Sequence, residues 1–398
     1  MATASLASPA ATLTPGGRHG DLGFSGVEIA TAHPRTAPAL DPLPEAGSGP
    51  VDALERTILG ALQRGPVVVP FSGGRDSSTI LALAARLARR EGLDPPVAAT
   101  HRFPGVAGTD EDDWQELVIR HIGIEDWEIL RMGDALDAVG PVAIAAVARH
   151  GPLYPPNAHF MVPFARLAGG GTVLTGLDGD KVFGGWRWNH LGGIARGMAR
   201  PTPRNILSAG LFACPRAVQR EVARRRDPRW FTWLAPDVER AVVNEWAYDA
   251  AAQPRAFGRW LDWARRRPAV VTMCRQLDLL FADTEAAVAH PFLDPQFLAA
   301  YRTRGGRRGY GGRTEAMREL FGDLLPDAVC ARRTKTGFDG VFLGPYTREL
   351  TARWDGTGFS PDLIRADVLR EHWNGDAFSF RTAMLVQWLW LREQANRP

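Results

Sequence analysis

The sequence predicts an α/β fold, a parallel sheet flanked by helices and followed by a long helical region. Three observations carry this. Between residues 51 and 175, short Val-rich apolar runs alternate with longer amphipathic stretches, the pattern of strands joined by crossover helices. The run Val67-Val68-Val69-Pro70-Phe71 passes through a Gly turn straight into an Ala- and Leu-rich stretch of helical length. After residue 189 the strand-like runs fade, and helical segments broken by Pro and Gly hold nine of the thirteen tryptophans.

The elements follow in order. Residues 1–50 carry seven Pro and seven Gly without sustained periodicity, so they are expected to form a flexible or loosely attached arm with a short strand over 27–30. Residues 51–195 form the sheet domain. Its helices are expected at 51–63, 77–90 and 110–122, and its strands at 67–71, 97–101 and 127–131. Two more helical segments then precede a strand at 172–175. Residues 196–398 form the helical region, with helices at 215–226, 260–267, 270–281 and 378–394.

Composition narrows the function. A net charge of +3 from 47 basic and 44 acidic residues is too balanced to argue for nucleic acid. No apolar run approaches the ~20 residues of a membrane helix, and the N-terminus lacks the basic-then-apolar layout of a signal peptide. A cytoplasmic enzyme is the expectation, with neither nucleic acid nor a membrane as partner. Cys214, Cys274 and Cys330 are odd in number and far apart, which fits thiols rather than disulfides or a zinc site. Only two of the basic residues are lysines, Lys181 and Lys335, so each stands out against an arginine-writing background.

The sharpest chemical signal is Ser72-Gly73-Gly74-Arg75-Asp76-Ser77-Ser78, between an apolar strand and a helix. A Gly-rich turn at a helix N-terminus offers backbone N–H groups and the positive end of the helix dipole to a phosphate. Gly73 and Gly74 allow close approach, Ser72, Ser77 and Ser78 can donate hydroxyls, and Asp76 can hold Mg²⁺ against the phosphates. The pattern is neither the Walker A loop nor the dinucleotide-binding G-x-G-x-x-G.

Residues 72–78 resemble the SGGxDSS loop of the N-type ATP pyrophosphatases. Residues 175–186, Thr-Gly-Leu-Asp-Gly-Asp-Lys-Val-Phe-Gly-Gly-Trp, resemble the SGEGxDELFGGY segment of the asparagine synthetase family. His290-Pro291-Phe292-Leu293-Asp294 is similar to its V-P-F-L-D. Leu325-Pro326 with Arg333-Thr334-Lys335-Thr336-Gly337-Phe338 is similar to its LP…R-x-K-x-x-F. Thr109-Asp110-Glu111 with His121-Ile122-Gly123 fits the D-E…LG stretch. The resemblance implies an adenine nucleotide α-hydrolase-like (PP-loop) domain with an appended helical region. It also implies ATP and Mg²⁺ as cofactors, with adenylation of a carboxylate, release of PPi, and attack of an amine to give an amide and AMP. Gly176 joins the phosphate-binding set, Asp76 and Asp180 match the family's metal ligands, and Lys335 matches its catalytic lysine.

The departures are informative as well. The chain begins Met1-Ala2-Thr3 and its ATP loop starts at residue 72, so no glutaminase domain is expected. Leu177 stands where the family has the Glu of S-G-E-G, Lys181 replaces the Glu of D-E, and Ala287-Val288-Ala289 replaces E-x-R. Leucine transfers no proton. Asp178 is the expected base, ahead of Glu285 and His290, while a loop Asp often serves the turn and a histidine beside Pro-Phe-Leu often belongs to the core. The altered acceptor half implies an amide other than asparagine, of the kind made by β-lactam synthetase or lasso-peptide macrolactam cyclases from small-molecule or peptide carboxylates and amines, with or without a separate partner subunit. A tRNA-modifying or sulfur-transferring pyrophosphatase and a non-catalytic nucleotide-binding subunit are the alternatives. The arginine- and glycine-rich stretch 302–313 is expected as a mobile loop near the phosphates.

Overall fold

The computed structural model describes residues 22–106, 108–109, 111–195, 197, 202–225, 231–334, 337–375 and 378–396. The chain opens with helix α1 (Gly26–Thr31) and helix α2 (Pro50–Leu62). Alternation then runs β1 (Val67–Pro70), α3 (Arg75–Glu91), β2 (Val97–Arg102), α4 (Asp112–Ile122) and β3 (Trp127–Arg131). It continues through α5 (Pro141–His150), α6 (Val162–Ala168), β4 (Thr172–Leu174) and α7 (Gly179–Gly184). With β5 (Ala287–Ala289), the described strands pair in parallel throughout, in the order β3-β2-β1-β4-β5.

Strand periodicity explains why both faces of this sheet are covered. Val67, Val69 and Phe71 point to one face, against α2 and α3, and Val68 points to the other, against α5 and α6. Ala98 and Ala99 of β2 and Leu174 and Val173 of β4 divide the same way. A sheet buried on both faces has to be made of nearly continuous apolar runs, and these are what the sequence shows.

The fifth strand corrects the expectation that residues 196–398 are helical throughout. Ala287–Ala289 pairs with β4 through Val173↔Val288, so the C-terminal region supplies an edge strand. Three residues of Ala-Val-Ala are too short for a periodic signal, and only pairing reveals them. The other named elements among the described residues of this region are helices, including Arg216–Arg225, Phe257–Arg265, Pro268–Ala282 and Ala383–Ala395.

The N-terminal expectation also changes. Residues 26–31 are a helix, not a strand, because Ser25 and Glu28 form a reciprocal capping box. Ile29 and Ala30 are buried in a tryptophan-rich core with Trp233, Trp354 and Trp388, and the Trp233 indole donates to the Ala30 carbonyl at 2.9 Å. The described part of the arm is therefore docked. Asp137 ties the C-terminal helices to the sheet domain. Its fully buried carboxylate accepts from the Thr347 N–H at 3.1 Å and the Thr347 hydroxyl at 2.5 Å, at the first turn of helix Pro345–Ala352.

Candidate active site

Strand order places the site. Successive units step from β1 to β3 in one direction, and β4 then lies on the other side of β1, so the crossovers diverge between β1 and β4. In open parallel sheets the crevice for ligands lies at the carboxyl ends of the strands where the order reverses. Here the loops in that crevice are residues 71–74 after β1 and 175–178 after β4.

The first loop is shaped by its own serines. Ser77 Oγ accepts from the Ser72 N–H at 3.3 Å and donates to the Gly74 carbonyl at 3.2 Å, curling the loop over the start of α3. Gly74 caps that helix with no side-chain bond, which leaves its first-turn N–H groups turned toward the crevice. Gly73 has φ +72, and a Cβ there would sit 2.9 Å from Gln115 Cγ and 3.1 Å from the Gln115 nitrogen. Both conformation and space therefore demand glycine. Ser78 is fully buried and its hydroxyl has no hydrogen-bond partner among the described residues.

The second loop presses on the first. A Cβ on Gly176 would lie 2.9 Å from the Asp76 carbonyl carbon and the Ser77 nitrogen, and one on Gly179 only 2.5 Å from Asp76 Cγ. Gly176 thus serves as the contact between the loops, and the Asp76 carboxylate fills the space that Gly179 leaves. Asp180, the next residue, is exposed in the first turn of α7. Asp76 Oδ2 also accepts from Arg313 at 2.7 Å, and the half-buried Arg313 stem rests on Gly184. Among the described residues no group of three or more His, Cys, Asp and Glu side chains gathers to hold a metal.

Arg332 was not flagged by its sequence context, a run of basic residues that reads as a solvated surface. It is 6% exposed. One Nη donates to the Gly73 carbonyl at 2.8 Å, both bond to the Glu111 carboxylate at 2.5 and 3.2 Å, and the guanidinium lies 4.8 Å from the Trp114 ring. The only sequence signal for this clamp is Glu111 at the head of α4, which makes sense only once β1 and β2 are adjacent. Lys335 and Asp110 lie outside the described residues.

The β4 side carries a second group of ionisable side chains. Asp178 sits at φ +59 as the N-cap of α7, with a buried side chain bonded to Lys181 Nζ at 2.7 Å. Burial pushes its carboxyl upward and Lys181 opposes the shift. Lys181 is thus the ion partner of Asp178 and does not simply point away. Burial, with Asp178 adding to it, lifts the Tyr154 hydroxyl and the Cys274 thiol each to about 12. Asp278 contributes at Cys274, and burial raises it in turn. His290 shares a 2.7 Å hydrogen bond with Thr175 Oγ1 at the end of β4, and burial lowers it to about 4. Its Nε2 is buried without a partner.

Two expectations fail here. Glu285 is exposed and precedes β5, so parallel topology puts it at the opposite end of the sheet from the crevice. The 302–313 stretch is no mobile loop, because Tyr310 stacks on Tyr301 at 4.4 Å and a Cβ on Gly305 or Gly309 would strike Phe257 or Trp186. Of its described arginines, Arg313 bonds Asp76 at the start of α3.

The family model described as asparagine synthase matches residues 52–394. A stretch of 166 residues is 28% identical to asparagine synthetase B [glutamine-hydrolyzing] of Escherichia coli (strain K12), covering 38% of this chain and 29% of that protein. The chain therefore spans less than a third of the curated relative that it matches.

Proposed function

Since the chain belongs to the asparagine synthase family, we propose that it is an ATP-dependent, AMP- and PPi-forming amide synthetase acting on a specialised small-molecule or peptide substrate. The observation that supports this reading best is the lodging of Asp76 against Gly179, the residue before Asp180, which packs two carboxylate-bearing turns together at the switch point. Two carboxylates with the remaining oxygens left to substrate phosphates are the donor set that suits Mg²⁺, so the residues fit the ion. When bound, it would supply positive charge against the departing PPi.

The chain's own residues do the rest. The α3 N-terminus and the Ser72–Gly74 backbone bind phosphate, and Arg332 fixes the curl of that loop through Gly73. The substrate carboxylate attacks the α-phosphorus, PPi leaves, and the amine then displaces AMP as its new bond to the acyl carbon forms. The amine must lose a proton, and Asp178 is the group for it, its carboxyl raised by burial toward the range of a general base while its bond to Lys181 opposes the shift. Arg332 anchors the chain three residues before Lys335, which supports Lys335 as the cation on the phosphates. A half-buried apolar neighbour at Leu177, in place of a carboxylate, favours an amine other than ammonia on aspartate.

Incubation with Mg·ATP and a pool of carboxylates and amines tests this. Release of AMP and PPi, lost in both Asp76→Ala and Lys335→Ala, is the expected result. Release of ADP, or AMP formation undiminished by either change, would overturn it.

A further inference from the structure

At the C-terminal end of α7, whose N-terminus meets the ATP loop, the chain forms a second concavity. It lies among the helices Pro203–Ala213, Arg216–Arg225 and Pro236–Ala252. One end, about 350 Å³, is lined by Arg187, Arg216, Arg255 and Arg259 with Gln253. It runs into a trough of about 570 Å³ whose walls include Leu211, Val222, Phe231 and Trp246, and Arg187, Phe212 and Gln219 belong to both.

The electrostatics of the basic end are unbalanced. Among the described residues no acidic one lines it, and Arg216, Arg255 and Arg259 form no ion pair with any described residue. Nearby arginines elsewhere do find partners: Arg265 and Arg266 bond Asp262, and Arg267 bonds Asp249. Converging guanidinium groups repel one another, and an anion between them relieves that repulsion. Gln253 adds a second requirement. Its Oε1 is buried without a hydrogen-bond partner, an acceptor waiting for an N–H. An ionised fatty acid offers no hydrogen-bond donor and inorganic phosphate no apolar portion for the trough, whereas a peptide supplies both an N–H and apolar side chains. The apolar surface also continues past the trough, with Ile206 59%, Leu207 75% and Val218 44% exposed on the bounding helices. A small molecule in the trough would leave that rim in water, and a polypeptide would cover it. Residues 1–21 hold one arginine and one aspartate, so this chain's own N-terminus lacks the charge to match.

We infer that this groove docks a segment of a partner polypeptide in which acidic residues adjoin an apolar stretch, the acids seated among Arg216, Arg255 and Arg259 and the apolar side chains in the Val222–Trp246 trough. The assignment stands on the groove alone and does not depend on the proposed reaction.

Fluorescence polarisation of the full chain tests it with labelled nonapeptides carrying three Asp or Glu followed by Leu, Phe, Val or Trp. Binding is expected to weaken with salt and to fall at least tenfold in Arg216→Glu/Arg259→Glu, with thermal stability and ATP binding unchanged. The separate surface change Val222→Asp is expected to lower it as well. Peptides with Lys in place of the acids should not bind. The inference is overturned if no acidic–apolar peptide binds, or if both variants bind as wild type does. It also fails if dodecanoate binds where the peptides do not, or if light scattering shows a dimer that the double variant dissociates.

Discussion

Consider Gly179→Ala. On propensity alone this change should help, because Gly179 opens α7 and Ala is favoured over Gly in a helix by about 1 kcal/mol. The new Cβ, however, would lie 2.5 Å from Asp76 Cγ, 2.7 Å from its Oδ1 and 3.0 Å from its Cβ. Carbon atoms in contact sit about 3.5–4.0 Å apart, so the overlap is on the order of 1 Å. Rotating Asp76 about χ1 relieves the first two clashes but not the third, so α3 and α7 must separate or the carboxylate must leave the crevice. Overpacking of this kind costs about 1–3 kcal/mol, which exceeds the propensity gain. A displacement near 1 Å at a reacting centre costs about 10²-fold. Gly179→Ala is therefore expected to lower the unfolding free energy by up to about 2 kcal/mol net, to weaken Mg²⁺-dependent ATP binding measured by calorimetry, and to slow AMP release about 100-fold. Gly60→Ala on α2 is the control: its Cβ meets only the flexible Arg64 Nη1 at 3.6 Å, so stability should rise by about 0.5–1 kcal/mol. Wild-type ATP binding in Gly179→Ala would refute the argument that Asp76 is held by the space this glycine leaves.

Three further outcomes follow from the same geometry. Arg332→Ala removes the guanidinium that bonds both the buried Glu111 carboxylate and the Gly73 carbonyl and should cost about 3–5 kcal/mol by chemical denaturation, with Arg332→Lys intermediate because an ammonium cannot span both carboxylate oxygens and the Gly73 carbonyl. Lys181→Ala removes the group that offsets the burial of Asp178, so the acidic limb of the pH–rate profile should move to higher pH and Asp178→Asn should abolish it; a limb that stays in place would remove Asp178 from the role of base. His101, His159 and His290 are lowered by burial to about 3, 4 and 4, so the unfolded chain binds more protons than the folded one below pH 6.5. Stability should be full above that pH and fall as pH drops toward 4, by on the order of 3 kcal/mol for His290, and His290→Asn should flatten the dependence of the unfolding midpoint.

The sheet domain was legible because a strand buried on both faces needs an unbroken apolar run and a crossover helix needs a 3.6-residue stripe, and both are local patterns. Residues 67–71 and the turn after them announce a phosphate-binding loop before any tertiary contact is known. The C-terminal region was less legible for the opposite reason. Ala287–Ala289 is a strand only because β4 presents a free edge to it, and Ser25–Glu28 outweighed a strand propensity through two capping bonds that composition does not register.

The candidate site divides along the same line. The sequence by itself determined the strand–turn–helix loop, the carboxylates Asp76 and Asp180, and the substitutions Leu177 and Lys181 at the acceptor end, since these are residue types at fixed spacing on one short segment. Tertiary structure decided what spacing cannot encode. It removed Glu285 by putting it at the far end of a parallel strand, paired Lys181 with Asp178, and turned Gly176 and Gly179 into the space that Asp76 occupies. It also brought Arg332 from 259 positions away onto the Gly73 carbonyl. A buried charge must find its partner wherever the fold brings one, so its role is written in the packing and not in its neighbours along the chain.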